Sequence, residues 1–164
     1  MKYQVALSAP YPNVENVRKN PMDAKKLMNS SYGGRNSETG AILTYAYQSY
    51  VVKKENPELA SMLEQVAVVE MKHHELLGTA IYSLGGLPVV AGRNAYFSAA
   101  GLDYSVRAEE FLVRNIREEE AAIREYEALE KTLATPEIRE LVKRIVDDET
   151  LHVKLFSETL AKMH

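Results

Sequence analysis

Residues 68–77, "VVEMKHHELL", set two of the chain's four histidines side by side, with a glutamate three residues before the first. On a helix, a Glu at i and a His at i+3 share one face and can serve one site. The pattern recurs: Glu149-x-x-His152 matches Glu70-x-x-His73. The chain has no cysteine, which excludes disulfides, thiolate metal sites, iron–sulfur clusters and a Cys nucleophile. Any metal must be held by His, Asp and Glu. No Gly-rich phosphate loop is present either.

These pairs need helices to position them, and the punctuation of the chain supplies four. Helix A is expected over about 37–54. Asn56-Pro57-Glu58, an N-cap followed by Pro at the first helical position, opens helix B, which Gly85-Gly86 ends near residue 84. Residues 87–103, with Pro88, Gly92 and Gly101, read as a loop. Helix C is expected over about 104–133, and Thr135-Pro136-Glu137 opens helix D, which runs nearly to the end. Residues 1–22 read as an extended arm and 23–164 as the bundle domain, helical from Asp23 and interrupted at Gly33-Gly34. Four long helices with a long B–C crossover make an all-α four-helix bundle.

The chain also repeats. Asn56–Ile81 laid onto Thr135–Leu160, an offset of 79, superposes Pro57 on Pro136, Glu70 on Glu149, His73 on His152 and Leu76 on Leu155. At an offset of 81, Glu38-x-x-Ala41-x-x-x-Tyr45 lies over Glu119-x-x-Ala122-x-x-x-Tyr126. A–B and C–D are two copies of one helical hairpin.

Stepping by fours and threes along the apolar face of B gives Leu63, Val66, Glu70, His73, Leu77, and of D gives Val142, Ile145, Glu149, His152, Phe156. Helix C contributes Ile116, Glu119, Ile123, Tyr126, and A contributes Glu38, Ile42, Tyr45. Four Glu and two His therefore point inward. A buried carboxylate without a partner costs several kcal/mol or stays protonated. Buried salt bridges would answer this, but no Lys or Arg lies on these seams. Two divalent cations would balance the four carboxylates. One Glu from each of two helices plus one Glu-x-x-His from each of the others is the ligand set of two-metal carboxylate bundles.

Other candidates have two readings each. Tyr45 and Tyr126 either pack in the core or hydrogen-bond a ligand carboxylate across the bundle. Asp148 either is solvated or accepts a proton from the ring of His73. His74, about 100° round the helix from His73, is expected to be exposed or to pack half-buried, with a place behind a ligand or at an entry channel as the alternative. Of Glu118-Glu119-Glu120, only Glu119 is in phase with the seam, and His164, the last residue, is expected to be disordered.

In this order of motifs the chain resembles the ferritin-like superfamily. Pro21, Ala24, Leu27, Gly33-Gly34, Glu38 and Gln48, with "VEMKHHEL" and "DDETLHVKLF", are similar to manganese catalases and their short spore-coat relatives, and rubrerythrins are cousins. The resemblance implies a ferritin-like bundle with Glu38, Glu70, His73, Glu119 and His152 as metal ligands and Glu70 bridging. It makes Glu149 a catalytic acid/base, as in manganese catalases, or a bridging ligand, as in rubrerythrins. Two departures are visible: Ala122 stands where rubrerythrins carry an extra Glu, and Glu118 where some manganese catalases have Arg.

The net charge of −3 offers nothing to attract nucleic acid or an anionic membrane, and no apolar run reaches a membrane span. The expected location is cytoplasmic, with a spore coat as the alternative, and the resemblance implies a homo-oligomer. The expected function is disproportionation of hydrogen peroxide at two Mn or Fe ions. A di-iron peroxidase or oxidase fed by a separate reductase is the alternative enzyme. A spore-coat-type protein whose metals staple the bundle is the non-enzymatic one.

Overall fold

A computed structural model describes residues 3–33, 36–91 and 96–163; Gly34, Gly92 and His164 lie outside them. Among the described residues, five α-helices follow in order: α1 Pro21–Leu27, α2 Glu38–Val52, α3 Pro57–Ser83, α4 Ala108–Glu130 and α5 Pro136–Ala161. The described residues include no β-strand, only a bridge between Ala91 and Tyr96. Among them, no helix is long and apolar enough to cross a membrane. The chain has the ferritin-like helical bundle fold, with α2–α3 and α4–α5 as antiparallel hairpins.

Local chemistry explains most boundaries. Asn56 accepts the Leu59 N–H at 3.0 Å and Pro57 takes the first helical position. Asn20 and Pro21 repeat that signature and start α1 two residues before Asp23. Gly85, at φ +95°, ends α3, with the Gly86 N–H reaching back to the Ile81 carbonyl at 2.9 Å. Helix α4 begins at Ala108 rather than near Tyr104, because the Asp103 side chain takes the Ser105 N–H at 3.0 Å and turns the backbone out of helical register.

A five-residue π turn, Met28–Tyr32, follows α1. Beyond it, a Cβ on Gly33 would lie 2.5 Å from the backbone nitrogen of Ala91, so only glycine lets the crossover pass this close. Asp23, fully buried, ties α1 to the start of α5 by accepting from the backbone and hydroxyl of Thr135, both at 2.8 Å.

The core is split. One apolar cluster, including Leu27, Leu77, Ile81, Leu141 and Ile145, fills one end of the bundle. A second, including Val5, Leu63, Val66, Phe111 and Phe156, fills the other. Between them lies a layer of polar side chains with almost no exposure.

Candidate metal centre

The polar layer is where the repeat brings its inward residues together. Glu38 stands in the first turn of α2, Glu70 and His73 in mid-α3, Glu119 in mid-α4, and Glu149 and His152 in mid-α5. None of the six is more than 4% exposed. Their donor atoms form two groups, Glu38–Glu70–His73–Glu149 and Glu70–Glu119–Glu149–His152, with the atoms of each group within 4.8 Å of one another. Glu70 and Glu149 belong to both. Glu70 lies 3.2 Å from Nδ1 of His73 through one oxygen and 3.0 Å from Nδ1 of His152 through the other. Glu149 spans the same two nitrogens at 3.3 and 2.9 Å.

The outer ring nitrogens fix which way the imidazoles present themselves. Nε2 of His152 lies 2.8 Å from the Val5 carbonyl, which can only accept, so this nitrogen carries the hydrogen. Nε2 of His73 lies 3.2 Å from Asp148. Burial raises the Asp148 carboxyl, but His73, Arg144, Tyr11 and the Leu7 N–H together outweigh it and hold the group at about 2. Ionised Asp148 is an acceptor, so His73 also donates outward. Both rings thus turn Nδ1 toward the carboxylates. A bare lone pair there would face carboxylate oxygens, so Nδ1 must hold either a proton or a metal ion.

The titration pattern fits that choice. Burial alone would lower both histidines, but the surrounding carboxylates push them well above the usual imidazole range. Glu38 and Glu119 rise well above the carboxylate range, first through burial and then through repulsion by Glu70 and Glu149. Glu70 goes the other way: burial raises it, and His152 and His73 more than reverse this. The nearest donor to Glu70 Oε1, which is buried, is Nδ1 of His152, and Glu149 competes for that same nitrogen at 2.9 Å. Among the described residues, no Lys or Arg pairs with any of the four glutamates. An oxygen-and-imidazole set of this kind, short of cations and with two carboxylates sharing each inner ring nitrogen, suits manganese or iron.

Two tyrosines cross the bundle reciprocally. Tyr45 of α2 donates to Glu119 of α4, and Tyr126 of α4 donates to Glu38 of α2. Burial, followed by the neighbouring glutamates, raises both phenols well above the usual range, so they remain donors. His74 points elsewhere and stacks on Tyr32 with ring centroids 4.3 Å apart.

A cavity of about 60 Å³ opens onto the centre between α2 and α4. Glu38, Glu70, Glu119 and Glu149 form its floor, Ala41, Thr44 and Ala122 its walls, and Asp103 and Glu118 lie toward its rim. That is room for a few waters or one small oxidant. Ile42, Ile116 and Ile123, expected on the seam, are only half-buried. Gln48 and Asn115 instead fill the space between α2 and α4 with a reciprocal amide pair at 2.7 and 3.0 Å.

Sequence reasoning offered Asp148 behind His73 but missed the Val5 carbonyl behind His152 and the groups that hold Asp148. Arg144, 7% exposed, pairs with Asp148 at 2.7 Å, and Leu7 and Tyr11 of the arm hydrogen-bond the same carboxylate. The available signal was the i, i+4 spacing of Arg144 and Asp148. Nothing local marked the arm.

The family model described as Rubrerythrin matches residues 34–160. Two structures of KatB, a manganese catalase from Anabaena, superpose with TM-scores of 0.85 and 0.86 at 24% identity. The matches cover 96% and 99% of this chain and 80% and 81% of theirs. A bacterioferritin from Desulfovibrio desulfuricans, whose diiron site was solved in different catalytic states, superposes with a TM-score of 0.71 at 22% identity, over 88% of this chain and 84% of its own. No curated protein matches the sequence. At these identities the structures establish a shared fold. With the family model spanning most of the sequence, the chain belongs to the rubrerythrin family.

Proposed function

We propose that the chain is a two-metal carboxylate oxidoreductase that disproportionates hydrogen peroxide. The observation that carries this reading is the pair of inward-turned Nδ1 atoms among four buried carboxylates, at the floor of a cavity sized for a small oxidant. Glu38, Glu70, His73, Glu119, Glu149 and His152 would hold two ions. Manganese or iron there supplies redox cycling and Lewis acidity.

The protein's own part is positioning and proton movement. Tyr45 and Tyr126 fix the carboxylates of Glu119 and Glu38 from opposite helices. Glu149 reaches both imidazoles and the cavity, so it can take a proton from one peroxide and return it to the products of the next. Ala122 leaves the cavity wall open where a longer carboxylate would fill it. Reducing peroxide to water needs imported electrons, and these 164 residues contain no cysteine to relay them. Disproportionation needs none, since one peroxide supplies what the next consumes.

One observation favours a second reading. Glu149 spans the two histidines as Glu70 does, the arrangement of a bridging ligand, which suits a di-iron peroxidase with a separate reductase. An oxygen electrode separates the two. Metal-loaded protein given peroxide and no reductant is expected to release one O₂ for every two peroxides consumed. Glu149→Gln is expected to slow this by about 10²–10⁴-fold with most of the metal retained. Peroxide loss only after a reductant is added, without O₂, transfers the assignment to the peroxidase. Metal-loaded protein inert under both conditions leaves a structural role for the metals.

A further inference from the structure

The arm reaches the backs of both histidines. The Val5 carbonyl holds Nε2–H of His152 at 2.8 Å. The Leu7 N–H and the Tyr11 O–H hold Asp148 at 2.8 and 2.6 Å, and Asp148 holds Nε2 of His73. A third α5 side chain, Arg144, grips the same stretch at several points. Arg144 donates from Nε to the Ala9 carbonyl at 3.1 Å and from Nη2 to the Leu7 carbonyl at 2.9 Å, while Nη1 lies 2.7 Å from Asp148. Its guanidinium also lies 4.5 Å above the Tyr11 ring. The Val5 side chain, 4% exposed, is seated in the apolar cluster with Leu63 and Phe156, which places its carbonyl.

We propose that residues 5–11, clamped by Arg144, are a positioning strap for both imidazoles, so that docking of the arm and metal binding are coupled. This rests on the two-metal reading above. An acceptor behind a ligating histidine fixes its tautomer and ring angle and raises its basicity, and removing such an acceptor typically costs 10–100-fold in metal affinity. Here one acceptor is arm backbone and the other is a carboxylate that the arm holds in place. Coupling is reciprocal: a strap that tightens the metal tenfold is itself held tenfold more firmly once the metal is bound. Arg rather than Lys is required, because three groups in different directions are met by one planar fork.

The test uses the full chain, with Mn(II) titrated against a chelator and hydrogen exchange followed over residues 3–11. Native protein is expected to bind two Mn(II), and exchange in the arm is expected to slow about tenfold or more on binding. Arg144→Ala should weaken Mn(II) by about 10–100-fold while the helical circular dichroism is kept. Arg144→Lys should recover a minor part, and Tyr11→Phe should weaken it less than Arg144→Ala. If Arg144→Ala fails to fold, Tyr11→Phe and the exchange measurement on native protein decide. Two Mn(II) bound with unchanged arm exchange, or undiminished affinity in folded Arg144→Ala and Tyr11→Phe, overturns the strap and leaves the centre standing. Native protein that takes up neither Mn(II) nor Fe(II) overturns both.

Discussion

The two halves of the centre are copies on the inside and different on the outside. Within, Glu70 and His73 of α3 are repeated by Glu149 and His152 of α5, and the Tyr45–Glu119 contact is repeated by Tyr126–Glu38. Behind the rings the copies part. His73 leans on Asp148, yet at the same offset of 79 the counterpart of Asp148 is Val69. No carboxylate is available there, and the Val5 carbonyl takes its place. Duplication of a hairpin accounts for the ligand geometry, and the arm supplies what the duplication lacks. One imidazole is thus backed by a negative charge and the other by a neutral dipole, which should make the His73 half the tighter one.

The largest effect expected from this comparison comes from the ligands. His73→Ala should cost the protein at least one of the two proposed ions, as should His152→Ala, whereas His74→Ala should leave metal content unchanged, because that ring stacks on Tyr32 away from the carboxylates. Elemental analysis after loading measures this directly. Equal loss in the His73 and His74 variants would mean that the half-site containing His73 is wrongly drawn.

How much of this was legible depended on whether the signal was local. Glu70 and His73 could be read because i, i+3 spacing on a helix is a geometric statement, and the second copy in register fixed the partner helices. The start of α4 was misread because Asp103 caps its own turn, and a turn residue next to an amphipathic run looks like its first turn. Gln48 and Asn115 complement each other across two helices 67 residues apart, and neither is conspicuous alone. The arm was the least legible of all. Val5 acts through its carbonyl and Leu7 through its N–H, groups that every residue but proline carries, so side-chain identity does not advertise them.

A middling effect is expected at Asp148. Asp148→Asn keeps the shape but removes the charge behind His73, and should weaken one Mn(II) by about 10–100-fold, or about 1.4–2.8 kcal/mol, while sparing the other. A two-step titration would appear where the native protein gives closely spaced steps. If both ions weaken alike, the two halves are not separable and the difference behind the rings has no energetic meaning.

The smallest effect is on the acid stability of metal-free protein. The Asp148 carboxyl is held at about 2 against an ordinary value near 4, because Arg144, Tyr11, the Leu7 N–H and His73 favour its ionised form more than burial opposes it. A group depressed on folding contributes stability that is whole above its unfolded value and is lost as pH falls through its folded value. This contribution should therefore be present at pH 5 and drain away between about pH 4 and pH 2. An unscreened gap of this size would give about 2.6 kcal/mol, and solvent along the arm should reduce it to about 1 kcal/mol. The histidines have the opposite sign. Raised on folding, they stabilise the metal-free protein below their unfolded value near 6.5, and that support is lost as pH rises through the folded values. Asp148→Asn should then flatten the acid limb and shrink the share of the alkaline limb that belongs to His73, leaving the share of His152 intact, since a neutral carbonyl stands behind that ring. Urea unfolding in chelator from pH 2.5 to 9 reads both limbs in one series. Parallel curves for native and Asp148→Asn protein would show that the charge behind His73 contributes nothing to the fold, and the comparison would survive only in metal affinity.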